Sequence, residues 1–226
     1  MRDTALRGLR VDVKFEVVRE TPELLVINKP SGLLTMPARG GLANEKHLLG
    51  LLHERYGRVF VTHRLDRDAS GLIIFSRTPE AHRYYSGLFE TRAIEKKYLV
   101  VVEGKVTEDR GEIDKPLKQR GSGRMSVAFD GKRSLTRYSV LERLRGATLL
   151  EVSIVTGRRH QIRAHLYSLC NPVLGDSLYG DAARQAKFPR LMLHSWRLRF
   201  TDMAGKTISI EADPPADFMG ILKVLR

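Results

Sequence analysis

The chain has 226 residues, a length that allows one domain, or two small ones, with a proper buried core. Hydrophobic residues make up 42% of it, which excludes wholesale disorder, and no apolar run approaches the ~20 residues that cross a bilayer. Lysine and arginine number 39 against 26 aspartate and glutamate residues, so the formal net charge is +13. This balance favours polyanionic partners, of which nucleic acid is the usual one.

The sequence gives no sign of export, of a disulfide or of a metal site. Its N-terminus lacks the continuous apolar segment of a signal peptide, and we therefore expect a cytoplasmic protein without membrane contact. The single cysteine, Cys170, cannot form an internal disulfide, and we expect it to be a buried or half-buried small side chain. His160 and His165 are five apart, which would put them on different faces of a helix, and His47 and His53 lack acidic or cysteine companions at ligand spacing, so we expect no metal.

The first half of the chain alternates short β-rich runs with turns and two helical segments. Thr78 followed by Pro79 is typical of a helix start, with threonine at the cap and proline in the first turn. We predict strands at 24–28, 59–61 and 72–75, a glycine-bearing loop from the turn at 29–32 to about 44, and helices through 48–52 and from 79 to about 91.

The second half is richer in strands. We predict strands at 98–102, 124–129, 134–141, 148–155, 191–200 and 207–211, a helix over 159–169, and a final helix after Pro214-Pro215. Ile162, Leu166 and Leu169 would share one face of the 159–169 helix. Because many strands follow one another through short turns, the pattern predicts one α+β domain with a mixed, largely antiparallel sheet flanked by helices.

One short stretch, from His63 to Arg77, reads HRLDRDASGLIIFSR. It places Asp66 between Arg64 and Arg67 on a polar loop, and an uninterrupted apolar run follows Gly71. A carboxylate held at the mouth of a buried strand beside two arginines is typical of a catalytic or binding site. The alternative is a turn aspartate that caps a loop, which is commoner for aspartate in general.

Basic residues are clustered but spread along the whole chain. The clusters are Arg64 with Arg67, Lys96 with Lys97, the segment 115–124, Lys132 with Arg133, and Arg158 with Arg159. This distribution predicts a folded basic surface and not a disordered basic arm.

The His63–Arg77 stretch closely resembles the signature of the RluA-type pseudouridine synthases. Further matches follow in the family's order: LLVINKPSGLLTMP from Leu24, EKKYLVVVEG from Glu95, TGRRHQIRAHL from Thr156, NPVLGDSLYG from Asn171 and RLMLHSWRL from Arg190. The resemblance implies a single pseudouridine synthase catalytic domain over 1–226, with its core at about 14–226, a central basic cleft and no separate N-terminal RNA-binding domain. We expect a monomer.

The same resemblance implies roles for four residues. Asp66 would be the catalytic residue and Arg163, the arginine of the His-Gln-Ile-Arg segment, its ion-pair partner. Tyr98 would lie against the target base and assist proton removal, and Arg64 would take part in flipping the uridine out of its stack. Isomerisation of uridine needs no electrons, phosphate or metal, so no cofactor is expected; Asp66 could act as nucleophile or as base.

Neighbouring residues extend this site towards RNA. We expect Lys96, Lys97, Arg158 and Arg159 to contact phosphates, and His63 to order the loop. Arg159 and Arg163 stand four apart in the predicted helix, where like charges cost roughly 0.2–0.5 kcal/mol, which suggests anionic partners. Asp176 and Asp181 are predicted to be structural turn residues.

The predicted function is therefore isomerisation of uridine to pseudouridine in ribosomal RNA, transfer RNA or both. The alternative is a catalytically inactive, basic protein that binds and remodels RNA. Both explain the charge, but only the first explains Asp66, Tyr98 and Arg163 in their expected settings. A metal-dependent nuclease would need clustered carboxylates, which the sequence lacks.

Overall fold

The computed structural model describes residues 14–38, 45–121 and 123–226. The strands of this part of the chain are β1 (Glu16–Glu20), β2 (Leu24–Lys29), β3 (Phe60–Val61), β4 (Ser70–Ser76), β5 (Glu95–Glu103), β6 (Arg110–Asp114), β7 (Leu117–Gln119), β8 (Met125–Val127), β9 (Leu135–Leu144), β10 (Ala147–Ile154), β11 (Leu193–Thr201) and β12 (Thr207–Glu211). Its helices are α1 (Leu48–Tyr56), α2 (Pro79–Glu90), α3 (Gln161–Tyr167), α4 (Ala182–Gln185) and α5 (Ala216–Leu225).

Ten of these strands form one mixed sheet. The order is β1-β2-β4-β11-β5-β10-β9-β6, with β12 added to β11 and β3 added to β4. In the described residues β4 and β11 run parallel, and the other pairs of this sheet are antiparallel. Strands β7 and β8 form a separate antiparallel hairpin. The predicted α+β class, with a largely antiparallel sheet, is confirmed.

The apolar core covers both faces of the sheet, and β4 shows why its run is uninterrupted. Ile73 and Phe75 pack on the face that carries α1, α3 and α5, whereas Leu72 and Ile74 pack on the face that carries α2. All four side chains are fully buried, and each contributes on the order of 1.5–3 kcal/mol to the hydrophobic stabilisation. A strand buried on both faces has no polar alternation.

The helix boundaries agree with the sequence at α2 and differ at α3. Thr78 caps α2 by accepting the Ala81 N–H at 3.1 Å, as predicted. Helix α3 is shorter than the predicted 159–169, since His160 adopts a left-handed backbone with φ +49° and ends the preceding loop. Arg159 therefore lies outside α3 and does not share a helical face with Arg163, so the like-charge argument for that pair was wrong.

Three further predictions are corrected or completed. Cys170 is exposed, contrary to expectation, because it lies with φ +62° in the turn after α3 and points away from the core. The predicted strand at 124–129 is the second half of the β7–β8 hairpin, whose first half was not predicted. Strands β1 and β6 and the short helix α4 were not predicted either, and the predicted glycine-bearing loop lies partly outside the described residues.

Within the described residues, the helices are all too short or too polar to cross a membrane.

Candidate active site

The loop that carries Asp66 is positioned by a line of three residues across neighbouring strands. Gly71 pairs with Ser195 of β11, and Ser195 pairs with Tyr98 of β5. Gly71 has φ +107°, and a Cβ atom at this position would lie 2.2 Å from the Ser195 carbonyl oxygen. Only glycine therefore allows the parallel β4–β11 contact, and this contact places the start of β4 one strand away from Tyr98.

A buried lysine holds the same loop from the other side. Lys29, at the end of β2, is fully buried, and its Nζ donates hydrogen bonds to the carbonyl oxygens of Pro30 (2.8 Å), Leu33 (2.8 Å) and Arg67 (2.9 Å). Burial lowers the pKa of Lys29 to about 7, and the nearby Asp68 and Asp66 carboxylates oppose this shift. Three carbonyl acceptors match the three N–H donors of an ammonium group and fix the loop backbone next to Asp66.

The Asp66 carboxylate has a basic side chain at each of its oxygens. Arg163 Nη1 lies 3.2 Å from Oδ2, and His160 Nε2 lies 3.8 Å from Oδ1. The Asp66 side chain is 20% exposed, whereas that of Arg163 is 5% exposed. The buried Arg163 guanidinium thus orients the Asp66 carboxylate, which itself remains partly exposed to solvent.

Asp176 holds the Arg163 guanidinium in a second, fully buried ion pair. Its two oxygens accept from Arg163 Nε and Nη2, both at 2.7 Å, and Oδ1 also accepts the N–H groups of Leu178 (2.9 Å) and Tyr179 (3.0 Å). Although burial disfavours the charge, the hydrogen bonds and charge of Asp176 raise the pKa of Arg163. This two-point contact fixes the plane of the guanidinium, so Arg163 presents a defined N–H group to Asp66.

Tyr98 lines the same space and is 6% exposed. Burial, together with the nearby Asp66 charge, raises the pKa of Tyr98. The phenol is therefore neutral near pH 7 and offers a ring face and a hydroxyl group, not a phenolate.

Two adjoining concave spaces meet at this point. The inner pocket has a volume of about 90 Å³ and includes Arg64, Asp66, Tyr98, Arg158, His160 and Arg163 in its lining. The outer pocket, of about 380 Å³, includes His63, Arg64, Phe89, Arg92, Lys96 and Arg158. Because Arg64, Tyr98 and Arg158 line both, the two spaces form one cleft with a predominantly basic wall.

His63 and Lys96 lie in the wall of the outer pocket. The His63 ring stacks on Phe89 at 4.2 Å, and its Nε2 accepts the Ile74 N–H at 3.0 Å. Burial, with the Lys96 charge, lowers the pKa of His63 to about 3, so the ring is neutral and can accept this bond. Lys96 is 6% exposed with Nζ 5.5 Å from the Phe89 ring centre, and burial lowers its pKa.

The other predicted RNA contacts are placed unequally. Arg158 and Arg159 are exposed, and Arg159 Nη2 lies 3.7 Å from the position that a Cβ atom would take at Gly123 in the β7–β8 turn. Lys97 points to the opposite face of β5 from Tyr98 and pairs with Glu151 at 2.8 Å. The structure therefore brings together His63, Arg64, Asp66, Lys96, Tyr98, Arg158 and Arg163, and leaves Lys97 outside the cleft.

Two residues of the site were not predicted. His160 faces Asp66 because of its left-handed backbone, which no residue pattern indicated. Gln161 is 3% exposed and fixes the loop before α3: its Oε1 accepts from Thr156 Oγ1 (2.7 Å) and the Arg158 N–H (3.0 Å). Its position directly before the arginine-bearing turn of α3 was the available signal.

No group of three or more His, Cys, Asp or Glu side chains suited to a metal ion occurs among the residues that the structure describes.

Residues 23–168 match the model of the RNA pseudouridylate synthase family. The chain belongs to this family. Among its relatives, the ribosomal large subunit pseudouridine synthase D of Zymomonas mobilis subsp. mobilis is 32% identical over 234 residues, which cover 95% of this chain and 74% of the relative. The dual-specificity RNA pseudouridine synthase RluA of Pasteurella multocida is 36% identical over 193 residues, 84% of this chain and 88% of the relative.

Solved structures of pseudouridine synthases agree with this fold. Human RNA pseudouridylate synthase domain containing 1 superposes with a TM-score of 0.77 at 26% identity, over 89% of this chain and 84% of the human chain. The membership of the RluA-type family that the ordered motifs predicted is therefore confirmed. The synthase is an isomerase that acts on RNA.

Proposed function

We propose that this synthase converts uridine to pseudouridine in ribosomal or transfer RNA, with Asp66 as the catalytic residue. The observation that carries the proposal is the setting of Asp66. Among the described residues it is the one acid that lines the inner pocket, and it pairs with buried Arg163 and lies beside Tyr98. The names of the relatives, which refer to the large ribosomal subunit and to dual specificity, support these two RNA classes.

The reaction breaks the bond between N1 of uracil and C1′ of ribose and forms a bond between C5 and C1′. The proton on C5 is lost and N1 gains one, so the step needs no external reactant. Asp66 can act as a nucleophile that bonds to a part of the nucleoside released by cleavage of the N1–C1′ bond, or it can act as a base. Both routes require the ionised carboxylate. Arg163 places a positive charge beside this carboxylate and fixes its direction, because the Nε and Nη2 groups of the same guanidinium are held by Asp176.

Tyr98 contributes a surface for the detached uracil. Stacking of a base on an aromatic ring is worth ~1–3 kcal/mol, and the tyrosine face borders the inner pocket next to Asp66. Because burial raises the pKa of Tyr98, the residue acts as a neutral phenol, and removal of the C5 proton by a tyrosinate is disfavoured.

Arg64 is suited to replace the flipped uridine in its stack. It is exposed and lines both the inner and the outer pocket, at the entrance that a nucleotide must pass. Extruding a base costs a few kcal/mol, which a planar guanidinium can offset by filling the vacated space. Arg158 and Arg159 contact neighbouring phosphates, Lys96 adds positive potential from within the wall, and Lys97 has no part in this surface.

The test is site-resolved pseudouridine mapping of total RNA from a strain that lacks the gene. The RNA is incubated with the intact protein, with Asp66→Asn or with Asp68→Asn. The first substitution removes the catalytic charge with little change in volume, and we expect turnover to fall by at least about 10²–10⁴-fold while RNA affinity remains. Asp68→Asn is the matched control on the same loop: Asp68 does not line the inner pocket and acts only at a distance on the Lys29 ammonium, so this variant should keep most of its activity.

A uridine that is modified by the intact protein and by Asp68→Asn, but not by Asp66→Asn, supports the proposal and names the substrate. Full activity of Asp66→Asn would remove Asp66 from the mechanism. Tight, salt-sensitive RNA binding without any new pseudouridine would favour the inactive RNA-binding alternative.

A further inference from the structure

A second concave surface lies between α3 and the β7–β8 hairpin. We call it the hairpin groove; its lining includes Arg120, Arg124, Val127, Tyr167, Ser168 and Tyr179. Its volume of about 520 Å³ lies within the ~300–1,000 Å³ typical of pockets that hold small ligands. The residues assigned above to the reaction and to base flipping do not line it, so the groove requires an explanation of its own.

The hairpin groove is joined to the inner pocket through Tyr179. This ring is close to two guanidinium groups, 5.2 Å from that of Arg163 and 4.9 Å from that of Arg124. Its hydroxyl group accepts the Met125 N–H at 2.8 Å and donates to the Met125 carbonyl oxygen at 3.1 Å. Strand β8 is therefore fixed relative to Arg163, and the groove has a defined position relative to Asp66.

The groove has the chemistry of a site for unpaired nucleotides. The segment 115–133 contains six basic residues and one acidic residue, a net charge of +5. Tyr167 is 44% exposed, and the Arg124 guanidinium lies 5.5 Å from its ring centre. Arg120 is exposed and lines the groove, and its Nε donates to Ser126 Oγ at 2.6 Å, which restrains the guanidinium. Aromatic rings combined with arginines bind single-stranded bases and their phosphates.

We propose that the hairpin groove binds one unpaired nucleotide of the substrate RNA beside the target uridine, with its base on Tyr167 and its phosphate at Arg120. This inference rests on the proposed function, since the inner pocket receives the uridine. Arg163 and Tyr167 are four residues apart on α3, a separation of about 5–6 Å between Cβ atoms, which a neighbouring nucleotide can span. The groove thus selects RNA in which the neighbour of the target uridine is free of base pairing.

The first test is steady-state kinetics on an unmodified transcript of large-subunit ribosomal RNA. For Tyr167→Ala we expect KM to rise about tenfold while kcat stays within about twofold, and Tyr167→Phe should recover most of this loss because the ring is kept. Arg120→Ala should raise KM several-fold and reduce the slope of log affinity against log salt by about one. Arg199→Ala is the matched control: it removes an exposed arginine of β11 that lines neither the cleft nor the groove, and should change neither quantity.

A photocrosslinker at the same position gives the second test. Tyr167→p-benzoylphenylalanine should crosslink to a nucleotide within about three positions of the modified uridine, given the single-turn separation on α3. A fall in kcat without a change in KM would show that Tyr167 acts only by packing on Tyr179, and would overturn the proposal. A crosslink to a distant part of the RNA, or an unchanged KM in Tyr167→Ala, would overturn it as well.

A separate probe distinguishes failure of this inference from failure of the proposed function. If the intact protein forms no pseudouridine in the transcript, its affinity for decauridylate is compared with that of Tyr167→Ala by fluorescence anisotropy. A loss of affinity of about tenfold would keep the groove as an RNA site although the proposed activity failed. Equal affinities of the intact protein and Tyr167→Ala would overturn the proposal that the groove binds RNA.

Discussion

The loop that carries Asp66 and the β7–β8 hairpin are both short polar segments, but the fold fixes them very differently. The loop is held by buried hydrogen bonds from Lys29, by the Gly71–Ser195 contact and by the Arg163 ion pair. The hairpin is a two-stranded ladder outside the main sheet, held to the site by the Tyr179 hydroxyl group and by a small apolar cluster of Leu117 with Ala164 and Tyr179. A reaction needs its carboxylate within a fraction of an ångström, whereas recognition of a flexible strand tolerates a more exposed support.

Asp176→Asn should have the largest effect of the changes considered, because it removes the ion pair that supports Arg163 beside the Asp66 loop. It leaves the Arg163 guanidinium buried with half of its charge compensation, and we expect a loss of about 3–5 kcal/mol in the free energy of unfolding, with a parallel loss of kcat. Urea denaturation and single-turnover kinetics measure both.

Asp181→Asn is the matched control for that change. Asp181 caps α4 by accepting the Arg184 N–H at 2.9 Å, and asparagine caps a helix about as well. Equal stability of the two variants would mean that the Asp176–Arg163 pair does not support the site.

The pH dependence of stability tests a second buried element next to the fixed loop. His194 is fully buried, with Nδ1 2.7 Å from Ser70 Oγ and Nε2 2.9 Å from the Ala212 carbonyl oxygen; burial lowers its pKa to about 4. Unfolded histidine takes up a proton near pH 6.5, so between pH 6.5 and 4 the unfolded state binds more protons and stability falls as the pH falls. We expect His194 to account for about 2 kcal/mol lost between pH 7 and 5.

Urea titrations at both pH values measure this loss, and His194→Gln should reduce it by about that amount because glutamine does not titrate, whereas the contribution of buried His63 remains. The same slope in the variant and the intact protein would assign the acid sensitivity to other groups.

The smallest expected effects come from the two faces of β5. Lys97→Gln removes an ion pair outside the cleft, which is worth about 0–1 kcal/mol, and should leave RNA affinity within about twofold. Lys96→Gln removes a cation from the wall of the outer pocket and should weaken RNA binding several-fold. Filter binding at low salt compares them, and an equal loss in both variants would place Lys97 on the RNA surface after all.

Part of this organisation was predictable from local patterns. The apolar run after Gly71 predicted a buried strand, and Thr78-Pro79 predicted the start of α2, because both depend on neighbours in sequence. The separation of Lys96 from Lys97 was also predictable, since successive residues of a strand point to opposite faces, but the charge pair was interpreted as one cluster.

Other parts of the site could not be predicted. The left-handed backbone of His160 shortens α3 and turns the imidazole toward Asp66, and the general preference of histidine for that conformation does not single out this one of the seven histidines. The ion pair of Arg163 with Asp176 joins a helix to a turn, and the expectation that Asp176 is a structural turn residue did not identify this partner. The β7 half of the hairpin is only three residues long, too short for a hydrophobic pattern.

The sequence by itself determined the family and the fold class, since ordered motifs, strand periodicity and charge balance are all local or compositional properties. Only the tertiary structure decided which charges share the cleft. Arg163 lies 97 positions from Asp66 along the chain, and their 3.2 Å contact joins α3 to the loop before β4, whose close approach to β11 only a glycine at position 71 permits. Such a contact depends on the packing of several elements at once, and no single segment of the sequence encodes it.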